Sequence, residues 1–309
     1  MTRPIKKLVT IAGALVVLVI VLFVAALMYI NTIARKAIEA GGTYALGVQT
    51  TLGSASVGIF SGTFAMSRLH IANPQGFPGD HFLKLGEGGV AVSLGTIMKD
   101  VVEMPSLTMT DLSVRLEKQN GKSNYGVILE NLKKLQSGQQ PQPAPQGGTE
   151  KKFIVNELVI RDVKIHAELL GAPGPAGAVL NPVGTFDIPI GEIRLTNVGK
   201  TGTGVGGTGV TMKELAGIVV QAVMAAAVEK GGGILPADML GELQNGLGGL
   251  KSLSSMGIGA VTTAAGAVTG AAGEALKGAG KAGEEAKKAL DEGGKKIEEG
   301  IKGLIPGKK

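Results

Sequence analysis

The chain has 309 residues and a formal net charge of +6; 44% of it is apolar, only 3% is aromatic, and 50 positions are glycine. That is about twice the usual glycine share of ~7%. With no cysteine in the sequence, disulfides, thiolate metal sites and cysteine nucleophiles are excluded. The basic excess is mild and forms no Lys/Arg cluster interleaved with aromatics, so nucleic acid is not an expected partner.

The first element is an uncharged run over 8–30, from Leu8 to Ile30, dominated by Val, Leu, Ile and Ala. Its roughly 23 residues suffice for one helix across a ~30 Å hydrocarbon core. Arg3, Lys6 and Lys7 precede it, which predicts a cytoplasmic N-terminus and an exported body. The run is longer than a cleaved signal core and ends Leu27-Met28-Tyr29-Ile30 without a small-x-small site. It reads as an uncleaved signal anchor, single-pass in an inner membrane, with the membrane itself as a partner.

Residues 31–46 continue as helix, with Ile33, Ala37, Ala40 and Tyr44 in one stripe. The period then falls to two. Leu69 and Ile71 alternate with Arg68 and His70, the pattern of a half-buried strand. The turn formers Asn73-Pro74-Gln75-Gly76-Phe77-Pro78-Gly79-Asp80 end it. Further strands are predicted over 82–94, 101–109 and 112–116, the last two separated at Thr110-Asp111. In the last, Leu112, Val114 and Leu116 alternate with Ser113 and Arg115. Asn120-Gly121 marks a turn, and Ser123-Asn124 an N-cap for a short helix carrying Val127, Ile128, Leu132 and Leu135.

A Gln/Pro linker occupies 136–152 and has too little apolar surface to pack. Strands return over 153–160, 163–167 and 186–195, with Pro189 pointing to an edge or a bulge. Residues 212–229 and 236–253 read as helices, the first stopped by Gly231-Gly232-Gly233. The uncharged stretch 252–273 holds too few large apolar side chains for a second span. In the tail, Glu–Lys pairs at i,i+4 are outweighed by mid-helix glycines, so it is expected to fold only on a surface or a partner. A solvated Lys/Glu tail is the plainer alternative.

The predicted class is α+β: an N-terminal transmembrane helix, then a mainly antiparallel β-rich domain with C-terminal helices and a low-complexity amphipathic tail. The divisions are 1–30 (stub and anchor), 31–135 (β-rich region), 136–152 (linker), 153–200 (second β segment), 211–253 (helices) and 254–309 (Gly/Ala/Lys-rich tail).

Motifs that carry chemistry are weak. Gly202-Thr203-Gly204-Val205-Gly206-Gly207 matches G-x-G-x-x-G, but no second parallel strand with a terminal acid follows. Gly199-Lys200-Thr201 resembles the end of a P-loop whose first glycine is replaced by Arg194. His70, His81 and His166 form no local ligand cluster, and no serine sits in a G-x-S-x-G elbow. No enzyme, catalytic residue, metal or cofactor is expected.

The segment Gly62-Thr63-Phe64-Ala65-Met66-Ser67-Arg68-Leu69-His70-Ile71-Ala72-Asn73-Pro74-Gln75-Gly76-Phe77 carries an L-x-I-x-N-P-x-G-F pattern. Phe82-Leu83-Lys84-Leu85-Gly86-Glu87, Val101-Val102-Glu103-Met104-Pro105-Ser106-Leu107 and Gly121-Lys122-Ser123-Asn124 follow in order. In these features 57–135 resembles the N-terminal region of the bacterial AsmA-like family, of which this chain is a short, divergent representative. The resemblance implies an inner-membrane anchor, a periplasmic β-rich body and a part in lipid transport or outer membrane biogenesis in the cell envelope. The chain is too short for a groove across the periplasm, and its tail departs from the family.

Two functions follow. In one, the sheet handles phospholipid, its apolar face of Leu69, Ile71, Leu112, Val114 and Leu116 lying against an acyl chain. That face packing on helices 212–229 and 236–253 as an ordinary core is the alternative. In the other, the protein is a structural scaffold whose tail binds membrane or an envelope protein partner.

Overall fold

The computed structural model describes residues 3–139, 151–171, 182–200, 209–253, 256, 258–263 and 266–267. The architecture is α+β, with helices on one face of a mixed sheet. The first helix, α1 (Arg3–Leu46), runs without interruption from the apolar run into the body. Strands β1 (Thr50–Gly58), β2 (Thr63–Ile71), β3 (Leu83–Ala91) and β4 (Val101–Gln119) then form an antiparallel meander. The two-residue β5 (Lys122–Ser123) leads into α2 (Asn124–Gln136). Ser123 caps that helix, its hydroxyl accepting from the Gly126 amide at 3.0 Å, as the sequence predicts.

Strand β6 (Lys152–Leu170) lies parallel to β4, and β7 (Pro182–Val198) returns antiparallel to β6. Then come α3 (Met212–Gly231), α4 (Ala237–Gly248) and the short β8 (Gly259–Thr263) and β9 (Gly266–Ala267). A capping box starts α3: the Thr211 amide donates to Glu214 at 2.7 Å, while the Thr211 hydroxyl accepts from the Glu214 amide. The sheet order is β1-β2-β3-β4-β6-β7-β8-β9, with β5 on β4.

Several expectations need correction. The pairing is mainly antiparallel, but its central pair, β4 with β6, is parallel. A parallel pair needs a long crossover, and the segment holding α2 supplies it. The two β regions are therefore one sheet. Strand β1 was not legible, and the runs split at Thr110-Asp111 and between 160 and 163 are each a single 19-residue strand. The apparent breaks are residues of positive φ inside those strands: Asp111 at 59° and Asp162 at 53°.

These residues belong to one row across the sheet. Gly53 on β1, Arg68 on β2, Gly86 on β3 and Asp111 on β4 stand at the unpaired step of successive ladders, with paired neighbours on either side. Asp111 and Asp162 on β6 occupy the same unpaired step of the parallel ladder, and the adjoining irregularity reaches Gly191 on β7. Arg68 and Gly191 also have positive φ, at 53° and 78°. A left-handed residue resets the side-chain alternation. Thus Met109 and Leu112, Ile160 and Val163, and Ile190 and Ile193 are buried despite being three apart. Because β2, β4, β6 and β7 carry their left-handed residues in one row, with glycines at the same step of β1 and β3, pairing resumes on both sides and the sheet is creased rather than broken. At Gly86 a Cβ would stand 3.0 Å from the Asp111 Cβ, so a larger residue there crowds the row.

The core lies between the creased sheet and the four helices, with Tyr125, Phe82, Leu46 and Leu52 among its fully buried side chains. Buried Gln221 ties the helical layer together. Its Nε2 donates to the Lys251 carbonyl at 2.7 Å, and its Oε1 accepts from Gln136 at 3.3 Å. Among the described residues no helix is long and apolar enough to cross a membrane.

Candidate functional site

The crease makes the floor of a cavity. Met66 and Leu69 flank the crease residue of β2, Leu85 precedes that of β3, and Met109 and Leu112 flank that of β4; all five line the cavity. Ile38 and Leu46 from α1, with Met212, Leu215, Ala216 and Val219 from α3, roof it. Its volume is about 110 Å³. An apolar cavity near 150 Å³ stays dry and takes up benzene-sized hydrocarbon.

Methionine is concentrated in the lining: Met66, Met104, Met109 and Met212 are there, out of 10 in the chain. Their flexible, polarisable side chains repack around occupants of differing shape. One polar group stands in the wall. Thr50 is 4% exposed, and its Oγ1 has no hydrogen-bond partner. It packs against the backbone of α1 at Gly42, and the rest of the lining is apolar.

Of the five side chains assigned to an apolar face, three reach the cavity: Leu69, Ile71 and Leu112. Val114 and Leu116 do not; both are fully buried in the core. The face is not an open groove, because α1 and α3 cover it. The predicted helix 212–229 supplies that cover as α3, whereas the predicted helix 236–253 is shorter, Ala237–Gly248, and packs on α2 and α3. The contributions of Ile38, Leu46, Met66 and Met109 were missed. The clustering of methionine on β2 and β4 was the available signal.

A polar network flanks the far end of the cavity. Asn73 donates to the Glu117 carboxylate at 2.8 Å and to the Gly79 carbonyl at 3.1 Å, closing the 73–80 turn. Asn124 donates to the Asn73 side chain at 2.9 Å and accepts from the Glu117 amide at 2.8 Å. Glu117 is fully buried, and its Oε1 has no hydrogen-bond partner. Burial pushes its carboxyl above the ordinary value, against the lowering effect of Asn73, the Gly79 amide and Arg115. The network explains why Asn73, Gly79 and Asn124 occur together; it holds a turn and presents no open cleft.

No protein-family model and no curated protein matches the chain.

The histidines separate. The rings of His70 and His81 are 6.2 Å apart, while His166 contacts Asp187 at 2.6 Å and Glu168 at 3.0 Å on another part of the sheet. His81 is buried, and burial holds its imidazole below the ordinary value. Among the described residues no group of three or more His, Asp or Glu is arranged to hold a metal ion. The stretch 202–207, the loop beyond Gly171, most of the linker 136–152 and nearly all of the tail 254–309 lie outside the described residues.

Proposed function

We propose that this is a non-enzymatic, membrane-anchored envelope protein whose periplasmic body encloses part of an acyl chain. The cavity carries the reading: it is apolar and rich in methionine. The hydrocarbon of an acyl chain has that chemistry. The resemblance of 57–135 to the AsmA-like family favours lipid handling over other apolar ligands.

Two observations support the anchor. Residues 15–22 are all apolar and all between 55% and 60% exposed, so more than two helical turns present hydrocarbon in every direction. Such a helix suits lipid and not water. Arg3, Lys6 and Lys7 at its start favour the cytoplasmic side for the N-terminus. Because α1 continues unbroken to Leu46, its cavity-lining residues 38–46 stand some 12–24 Å beyond Ile30 along the helix axis. The cavity then stands beyond the bilayer at the far end of the anchoring helix.

The test is native mass spectrometry with lipid extraction on residues 31–309 expressed in a lipid-containing bacterial host. A bound lipid at defined stoichiometry, lost in Ala216→Leu, is the expected result. Lipid-free protein from the same preparation sinks the lipid-handling reading.

A further inference from the structure

The anchor leaves one end of the sheet beside the membrane, and that end is apolar. Strand β1 runs antiparallel to the last turns of α1. The Thr50 amide donates to Thr43, the Leu52 amide to Glu39 and the Val57 amide to Asn31, so each step along β1 moves back toward the apolar run. From Asn31 back to Val24 is about 10 Å of helix at ~1.5 Å per residue. Residues 57–61, the end of β1 and the turn that follows it, share one recess with Val24 and Asn31, which brings the tip of the β1–β2 hairpin level with Val24. Val24 lies within the apolar run, more than one helical turn inside its end at Ile30.

Phe60 at that tip is 77% exposed. A second loop lies beside it. The Val92 amide donates to the Gly62 carbonyl at 2.7 Å, and a Cβ on Gly62 would come within 3.2 Å of Leu94. That loop carries Leu94 at 52% exposure and Met98 at 91%. Lysines border it. Lys99 is exposed, and Lys151 reaches over to donate to the carbonyls of Ile97 and Lys99; Asp100 is the acidic residue in this stretch. Exposed large apolar side chains with a cationic border fit the headgroup region of an anionic bilayer.

We propose that the hairpin tip 59–61 and the loop 92–98 form a second membrane contact, with Phe60, Leu94 and Met98 entering the headgroup region of the bilayer that α1 spans. The proposal rests on the anchor reading of α1. A helix alone leaves the body free to tilt and turn about its axis. A second contact fixes both, and so fixes where the cavity stands relative to the lipid.

The chain has no native cysteine, so one introduced cysteine gives one labelling site. The full chain is labelled with an environment-sensitive fluorophore at Leu18→Cys, Phe60→Cys, Met98→Cys or Gln75→Cys. Each variant is reconstituted in vesicles of phosphatidylethanolamine and phosphatidylglycerol, with or without doxyl-labelled lipid as a contact quencher. A matching thermal unfolding midpoint shows that each labelled chain is folded. Loss of emission at 18, 60 and 98, with emission retained at 75 on the opposite end of the sheet, is the expected result. Quenching at 18 while 60 and 98 behave like 75 overturns the second contact and leaves the anchor standing. No quenching at 18 overturns the anchor reading and this proposal with it.

Discussion

At the scale of single residues, the polar side chains inside this protein serve structure, and Glu117 shows the cost. Its carboxylate secures the 73–80 turn through Asn73 and the Gly79 amide, yet its second oxygen is buried without a hydrogen bond, with the Arg115 guanidinium 3.9 Å away. Burial raises its pKa, so the folded state keeps a proton at pH values where the unfolded chain has released it. The charged form thus lowers stability above the ordinary carboxylate range, and this penalty fades as the pH falls. Buried His81, with a lowered pKa, works the other way and costs stability as the pH falls below about 6.5. The difference between Glu117→Gln and the wild type isolates the carboxyl. In urea denaturation the midpoint of the variant relative to wild type is expected to be highest near pH 8 and to decline toward pH 5. A difference that grows toward pH 5 contradicts the assignment. None of this was legible in the sequence: Glu117 sits in a strand where alternation makes it a surface residue, and only the turn packing over it buries it.

At the scale of elements, the crease decides both what was legible and what was not. The alternation of Leu112, Val114 and Leu116 identified that half of β4 correctly, and Ser123 identified the start of α2. The same alternation failed at Thr110-Asp111, because a period-two pattern cannot distinguish a loop from a left-handed residue that resets the phase within a strand. The parallel pairing of β4 with β6 was equally hidden, since register between distant segments leaves no local mark. The crease makes a specific claim about Asp111. Aspartate tolerates φ near 59°, glycine does so freely, and a β-branched side chain does not. Asp111→Val is expected to cost about 1–3 kcal/mol in urea denaturation, while Asp111→Gly stays within about 1 kcal/mol of wild type. Equal losses for the two would mean that the carboxylate, not the backbone, matters there.

At the scale of the whole molecule, a continuous helix couples an exposed apolar run to a body whose creased sheet and helical roof leave an apolar void. The sequence showed the run and the helices but not the void. A cavity forms from side chains brought together from α1, the meander and α3, and its shape depends on the crease. Ala216 on α3 is the position from which it is most simply filled. Ala216→Leu adds three carbons, at ~0.8 kcal/mol per buried methylene, so lipid-free protein is expected to gain roughly 2 kcal/mol. Thermal unfolding with and without added fatty acid checks this: the wild type gains stability from the ligand and the variant does not.

The central claim, a body that holds an acyl chain above the membrane in which it is anchored, is tested most directly by photocrosslinking in intact cells. A phospholipid with a diazirine near the middle of its acyl chain is supplied to cells making the full chain, and the crosslinked peptides are sequenced. The account expects two sets of crosslinks. One lies in the apolar run 8–30. The other lies on β2 and β4 around Met66 and Met109, and is lost in Ala216→Leu while the first persists. Crosslinks confined to 8–30, with none on the crease strands, would leave an anchored protein that holds no lipid and would contradict the account.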